Sequence, residues 1–287
     1  MTFTPKWQLS SIIAADDLRA NLYEISAFMK NIETIKSMGL TRFRPNGTSY
    51  VMNFYGHAGT GKSISAEALA NECGLKVIKV SYSELQSSKW GGTEQNLTTL
   101  FECAQKENAM IIFNEADYIF STRKSDGPNS EVNNMIKAHL LNLLDSYEVI
   151  IALTTNRFFD YDDAFFRRTL FQVNVPLPEK AELKELAKFH LGFNQEGYCE
   201  GGMIPKSDDF SFEQAVETLD GLSGGDIAQI ATNCMVKVVV SSEHKLTNDM
   251  LKVVVDNYHK NKAASKAYNS REVTGKEKED VLNIINK

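Results

Sequence analysis

The run Gly56-His57-Ala58-Gly59-Thr60-Gly61-Lys62-Ser63 constrains this chain more than any other stretch. It fits GxxxxGK[ST], and it stands directly after an apolar run and directly before a helical pattern, the context that gives the motif its physical meaning. The glycines let backbone N–H groups curl around phosphate oxygens, and the helix N-terminus adds positive potential. Lys62 is then placed to reach the β- and γ-phosphates of a nucleotide, and the Ser63 hydroxyl to ligate Mg²⁺. A fortuitous glycine-rich turn is the bland alternative, and it leaves the coincidence of strand, loop and helix without a cause.

Around this loop, short apolar runs alternate with longer stretches of helical period, as repeated βα units around a parallel sheet do. The pattern predicts strands over 50–55, 76–82, 110–113, 149–154 and 171–175, with helices over 62–73, 93–106, 131–145 and 160–167. Upstream, Leu18, Leu22, Ile25, Phe28 and Met29 predict one packed leading helix over 16–38. An α/β domain over 1–177 follows. Pro176-Leu177-Pro178 marks a boundary, since proline disfavours continuing a helix. Beyond it only helical patterns occur, over 179–191, 212–218, 225–241 and 248–262, which predicts a small all-α lid over 178–264 with an irregular connection at 194–209. The remainder, 265–287, reads as a charged C-terminal tail in which 281–285 is either one amphipathic turn docking onto the body or a frayed end. No internal repeat is present.

Composition narrows the function classes. The 287 residues carry 31 Lys+Arg against 37 Asp+Glu, a formal charge of −6, which argues against general nucleic-acid binding. Hydrophobic residues at 43% and charged residues at 24% suit an ordinary globular core. Cys73, Cys103, Cys199 and Cys234 have no metal-ligand spacing and are expected to be reduced, mostly buried thiols. No stretch approaches the ~18 uninterrupted apolar residues of a membrane helix, and the N-terminus lacks a targeting pattern, so a cytoplasmic chain is expected.

Two further strand ends carry chemistry. The run Met110–Phe113 leads into Asn114-Glu115-Ala116-Asp117, placing carboxylates at the sheet edge where α/β proteins bind ligands. Glu115 is the candidate to orient and polarise the water that attacks a γ-phosphate; Asp117 reads as a structural cap. The fourth run ends at Asn156, which could hydrogen-bond that water or the phosphate, or serve as a plain turn residue. Next come Arg167 and Arg168, either a solvated basic pair or arginine fingers that act on a neighbouring subunit's site.

Together these residues resemble an AAA+ ATPase of the classical AAA clade. GHAGTGKS resembles Walker A, IIFNEAD resembles Walker B, and the Asn156 strand resembles sensor 1; Gly221-Leu-Ser-Gly224-Gly225-Asp226-Ile resembles the clade's G-x-S-G-A-D-I lid segment. The likeness spans residues 10 to 260 in order. It implies a sheet of order 5-1-4-3-2, a helical lid, Mg-ATP bound between subunits of a homo-oligomeric ring, usually of six, and protein remodelling through a central pore. It further implies that Ile13 and Ala14 lie against adenine, that Gly56 to Ser63 with Gly224 and Gly225 hold the nucleotide, and that Ser63 and, through water, Asn114 serve the metal. Lys89-Trp90-Gly91 resembles the aromatic pore loop of katanin and spastin; an ordinary packing role for Trp90 is the competing reading.

Two departures from the pattern stand out. Asn114 replaces the usual Walker B Asp, keeping an acceptor oxygen but losing a charge, as in Rubisco activases. Slow or conditional hydrolysis is expected. Arg168 better matches the finger position, while the arginine often found a few residues later is replaced by Leu170 or Phe171. The core begins almost at once, so target choice is expected to rest on surface features, the tail or an adaptor. Two other classes remain in view: a nucleotide-dependent oligomeric scaffold or switch, and a DNA-directed AAA+ loader, against which the acidic balance weighs.

Overall fold

The computed structural model describes residues 2–39, 49–81, 92–116, 130–156, 163–192 and 204–269. These divide into two compact units, separated between Leu177 and Pro178. In the first, β1 (Tyr50–Tyr55), β2 (Lys76–Ser81), β3 (Ala109–Asn114), β4 (Ile150–Thr155) and β5 (Thr169–Asn174) pair in parallel. Their order is β2-β3-β4-β1-β5, the implied 5-1-4-3-2 seen from the other edge.

The three inner strands are buried almost throughout, whereas edge strand β2 exposes Lys76 and Lys79 and β5 is half-covered, as expected when helices cloak both faces of a parallel sheet. Successive residues feed opposite cores. Val51, Ile111, Ile151 and Leu153 pack with Leu97 and Phe101 of α4 (Gly92–Glu107) and with Leu140 and Leu144 of α5 (Ser130–Ser146). Met52, Phe54, Ile112 and Ala152 pack on the other face with Leu18 and Leu22 of α1 (Asp16–Lys30) and Leu69 of α3 (Lys62–Glu72).

Several boundaries differ from expectation. The leading helix is two: α1 ends at Lys30 and α2 (Ile32–Ser37) follows. Asn31 interrupts them because its side-chain amide donates to the Ala27 carbonyl at 2.8 Å while its backbone leaves the helical region. Of the helix expected over 160–167, α6 (Asp163–Phe166) is described.

The second unit holds α7 (Lys180–Leu191), α8 (Phe212–Thr218), α9 (Gly224–Val240) and α10 (Asn248–Asn269) around Leu183, Ile227, Ile230, Cys234 and Leu251. Helix α10 overruns its expected end, taking in the first five residues of the expected tail, because no glycine or proline interrupts it and Ala264 is buried. The turn at 281–285 lies outside the described residues. Lys206 caps α7, donating to the carbonyls of Leu191, Gly192 and Ile204 at 2.8, 3.0 and 2.9 Å.

Among the described cysteines only Cys234 is fully buried; Cys73 and Cys103 are half-buried, so the expectation of mostly buried thiols is too strong. Burial still pushes the thiols of Cys73 and Cys234 up to about 11 and about 12. Cys199 lies outside the described residues.

The N-terminus of α9 is closed by a reciprocal cap. Ser223 Oγ accepts the Asp226 N–H at 3.2 Å, and Asp226 Oδ2 accepts the Ser223 N–H at 3.0 Å. The same carboxylate takes Tyr258 Oη and, at 2.9 Å, Lys262 Nζ from α10. Burial alone would raise its pKa, but the donors from Tyr258, Lys262 and Ser223 outweigh it and hold the carboxyl down to about 2. The stabilisation is therefore complete above the ordinary value of 3.8 and is lost as pH falls toward 2. Melting temperatures of the chain and of Asp226→Asn, followed downward from roughly pH 6, should converge at the acid end; a gap that is constant with pH would contradict this origin.

Candidate active site

The strand register brings the site together. Tyr55 lies opposite Thr155 of β4 and Asn174 of β5, and Ser81 lies opposite Asn114. Gly56, Glu115 and Asn156 therefore each follow directly on a strand at the same carboxyl edge, where a parallel sheet leaves an open crevice.

Gly56 turns away from β1 with φ +147°, and a Cβ there would sit 2.1 Å from the Val175 carbonyl oxygen. His57, Ala58 and Gly59 are exposed at the crest, and the Thr60 hydroxyl donates to the His57 carbonyl at 2.9 Å. Gly61 is the N-cap of α3 at φ +98°, a left-handed turn that lets the helix start at Lys62. The Lys62 side chain is buried and folds back, its Nζ donating to the carbonyls of Gly56 at 3.0 Å and His57 at 2.6 Å. The ammonium thus lies within the curl of the loop, and the first turn of α3 aims its backbone N–H groups at the same place.

Ser63 Oγ donates to Asn114 Oδ1 at 2.7 Å, joining α3 to the end of β3. The donor set suits Mg²⁺: a hydroxyl and an amide oxygen side by side, both hard oxygen ligands, next to a phosphate-binding loop. Glu115 follows with φ +55°, a left-handed backbone uncommon outside glycine. Its side chain is exposed, and the strained turn is held by the Ala116 N–H on the Thr154 carbonyl at 2.9 Å. Asn156 is exposed at the bend after β4.

The two arginines separate. Arg168 forms a fork on Asp145 at the end of α5, with Nε to Oδ1 at 2.9 Å and Nη2 to Oδ2 at 2.7 Å, and its Nη1 donates to the Ala164 carbonyl at 3.0 Å. The hydrogen-bonded Asp145 carboxylate raises the arginine's pKa further. Arg167 is exposed, and among the described residues its guanidinium has no hydrogen-bond or ion-pair partner. Nothing in sequence spacing singles out Asp145, because only the topology brings it to Arg168.

Ile13 and Ala14 are half-buried at the end of the N-terminal segment, where Arg19 Nη2 holds the Ala14 carbonyl at 3.0 Å. Gly224 and Gly225 form the first turn of α9, in the second unit. Lys89, Trp90, Gly91 and Asp117 lie outside the described residues. Gly56→Ala should destabilise the chain by about 2 kcal/mol or more, since both its backbone angle and the Val175 carbonyl oppose a side chain. Urea unfolding would check it; an unchanged midpoint would mean the loop shifts freely.

Comparison with known proteins agrees with this geometry. Residues 52–179 match the family model described as ATPase family associated with various cellular activities (AAA). Katanin p60 ATPase-containing subunit A1 of Strongylocentrotus purpuratus is 32% identical over 187 residues, 61% of this chain and 34% of that protein. Protein SUPPRESSOR OF K(+) TRANSPORT GROWTH DEFECT 1 of Arabidopsis thaliana is 32% identical over 180 residues, covering 61% of this chain and 39% of the relative. The Cell division cycle protein 48 homolog of Archaeoglobus fulgidus is also 32% identical over 180 residues, 60% and 23% of the two chains. The chain thus spans less than two-fifths of the length of these curated relatives. In fold, a solved katanin structure from work on self-assembly superposes with TM-score 0.69 at 22% identity, over 89% of this chain and 87% of that one. Among the described residues no helix is long and apolar enough to cross a membrane. Residues 52–179 thus match an AAA ATPase domain, and in motif order the chain is similar to members of the classical AAA clade.

Proposed function

We propose that this chain binds ATP with Mg²⁺, hydrolyses it between subunits of a ring, usually of six, and couples turnover to remodelling of a protein substrate. The observation that carries this reading is the meeting of Lys62, Ser63, Asn114, Glu115 and Asn156 at one sheet edge, with Ser63 and Asn114 in direct hydrogen bond. Lys62 and the loop amides take the phosphates, and Ile13 with Ala14 takes the adenine. Ser63 and, through water, Asn114 would hold Mg²⁺, which when bound would supply charge neutralisation at the phosphate oxygens. Glu115 orients the attacking water and Asn156 hydrogen-bonds it. Trp90, flanked by Lys89 and Gly91, grips the polypeptide, and an adaptor or surface feature selects it. The relatives support remodelling as the class of work, and the katanin structure's self-assembly supports the ring.

A second reading rests on Asn114. With an amide in place of a carboxylate beside Ser63, the metal is held less tightly and the chain acts as a slow nucleotide switch. ATP turnover measured against protein concentration, with Asn114→Asp alongside, separates the two. The motor requires a rate per subunit that climbs steeply with concentration. A rate near zero that Asn114→Asp restores favours the switch, and a substantial rate that ignores dilution sinks the shared site.

The finger falls to Arg167, since Arg168 is engaged with Asp145 in its own chain. Loss of a finger costs about a thousandfold or more in turnover. Lys62→Ala chains still donate Arg167 but bind no ATP, and Arg167→Ala chains do the converse. Each alone should be inactive and the mixture active; a mixture as inert as its parts would remove Arg167 from a role between subunits.

A further inference from the structure

The helix that ends the phosphate loop also holds the N-terminal segment, and one buried carboxylate is central to the hold. Glu67 lies on α3, five residues beyond Lys62, with its side chain only 3% exposed. Its Oε1 accepts the Lys6 N–H at 2.8 Å, and its Oε2 pairs with Lys79 Nζ of β2. One turn further along, Asn71 Nδ2 donates to the Trp7 carbonyl at 2.8 Å. Phe3 adds two backbone bonds to Val77, at 3.0 and 2.9 Å, and Lys79 Nζ lies 5.3 Å from the centre of the Phe3 ring. Leu9 and Ile12 are then buried in the same core as Ala66, Leu69 and Ala70 of α3. The strap from Phe3 to Ala14 is therefore tied at Phe3, Lys6 and Trp7, and its far end is fixed by Arg19 on the Ala14 carbonyl.

We infer that Glu67 is a positioning residue for base recognition: it locks the strap to the phosphate-loop helix, so that Ile13 and Ala14 stand at a fixed distance from Lys62. The inference rests on the proposed adenine contact of Ile13 and Ala14 and extends it to a residue that touches no nucleotide. The logic is one of shared rigidity. Five residues of helix separate Glu67 from Lys62, about 7.5 Å along the axis. A strap fastened there cannot drift relative to the loop without breaking a buried, charge-assisted hydrogen bond. Without Glu67, Lys6 would leave an unanswered N–H and Lys79 would lose its partner, and the strap would sample positions in which the base finds no wall. The base then has to order the strap on binding, and affinity falls accordingly.

The test compares ATP with Mg-tripolyphosphate, which offers the loop the same phosphates without a base, by displacement titration on the whole chain. For Glu67→Ala, ATP should bind about tenfold more weakly while tripolyphosphate stays within about twofold. Glu67→Gln, which keeps an acceptor for Lys6, should recover part of the loss. Asn71→Ala, a milder cut to the same strap, should move ATP in the same direction and serves if Glu67→Ala does not fold. Hydrogen exchange over residues 3–14 should quicken in each. A parallel loss for both ligands would mean that Glu67 supports the loop itself, and quicker exchange with ATP affinity intact would mean that the strap does not read the base. Either result overturns the inference. Ile13→Asp separates it from the adenine reading. If that variant spares ATP binding, the base contact is wrong; if it weakens ATP alone while the Glu67 and Asn71 variants do not, only the role of Glu67 falls.

Discussion

Strand β1 has hydrogen-bonded neighbours along both edges and side chains covered on both faces, so it has no room for an unanswered polar group. The amide of Asn53, within the buried run, donates to Gln172 Oε1 of β5 at 2.9 Å. The loop that leaves β1 inherits this rigidity. The Val175 N–H bonds the Tyr55 carbonyl at 2.7 Å, and the Val175 oxygen closes off the space beside Gly56. The phosphate loop is thus shaped from behind by the end of β5, a strand remote in sequence. A change in the β1–β5 register would alter the loop without touching any residue of its motif.

Electrostatics continue what packing begins. Lys62 is a buried cation held inside the curl of the loop, its ammonium donating to the carbonyls of Gly56 and His57. Beside it stands Asn114, neutral where a carboxylate is the usual choice, so that the Ser63 hydroxyl donates to a dipole rather than to a charge. The site is consequently more positive than its Walker B pattern suggests. On the proposed roles, losing that one negative charge would favour phosphate over metal, and this balance makes both a motor and a slow switch physically coherent.

How far the sequence disclosed this is clearest at particular residues. The apolar runs located all five strands to within about two residues, because a buried parallel strand has a composition that little else shares. The loop was legible for the same reason: its glycines and lysine have a spacing set by phosphate geometry. Asn31 was not, since its helix-breaking role depends on its amide finding the Ala27 carbonyl. Nor was the different placement of Arg167 and Arg168, adjacent residues of identical chemistry that only the position of Asp145 distinguishes. The left-handed backbone at Glu115 is likewise invisible to propensity, because it is imposed by the bond between Ala116 and Thr154. What depends on neighbours distant in sequence stayed hidden, and what depends on local pattern did not.

Asp226 shows what such a nonlocal bond implies for motion. The carboxylate closes the first turn of α9 and at the same time receives Tyr258 and Lys262 from α10. The turn that carries Gly224 and Gly225 therefore cannot tilt by itself; it drags a helix of 22 residues with it. A small displacement at that turn is carried from Tyr258 and Lys262 to the start of α10 at Asn248, roughly 15–20 Å of helix away. Within the second unit the opening of α9 and the body of α10 thus form one piece, the shared carboxylate adding to the core that Ile227 and Ile230 make with Leu251, Val254 and Val255.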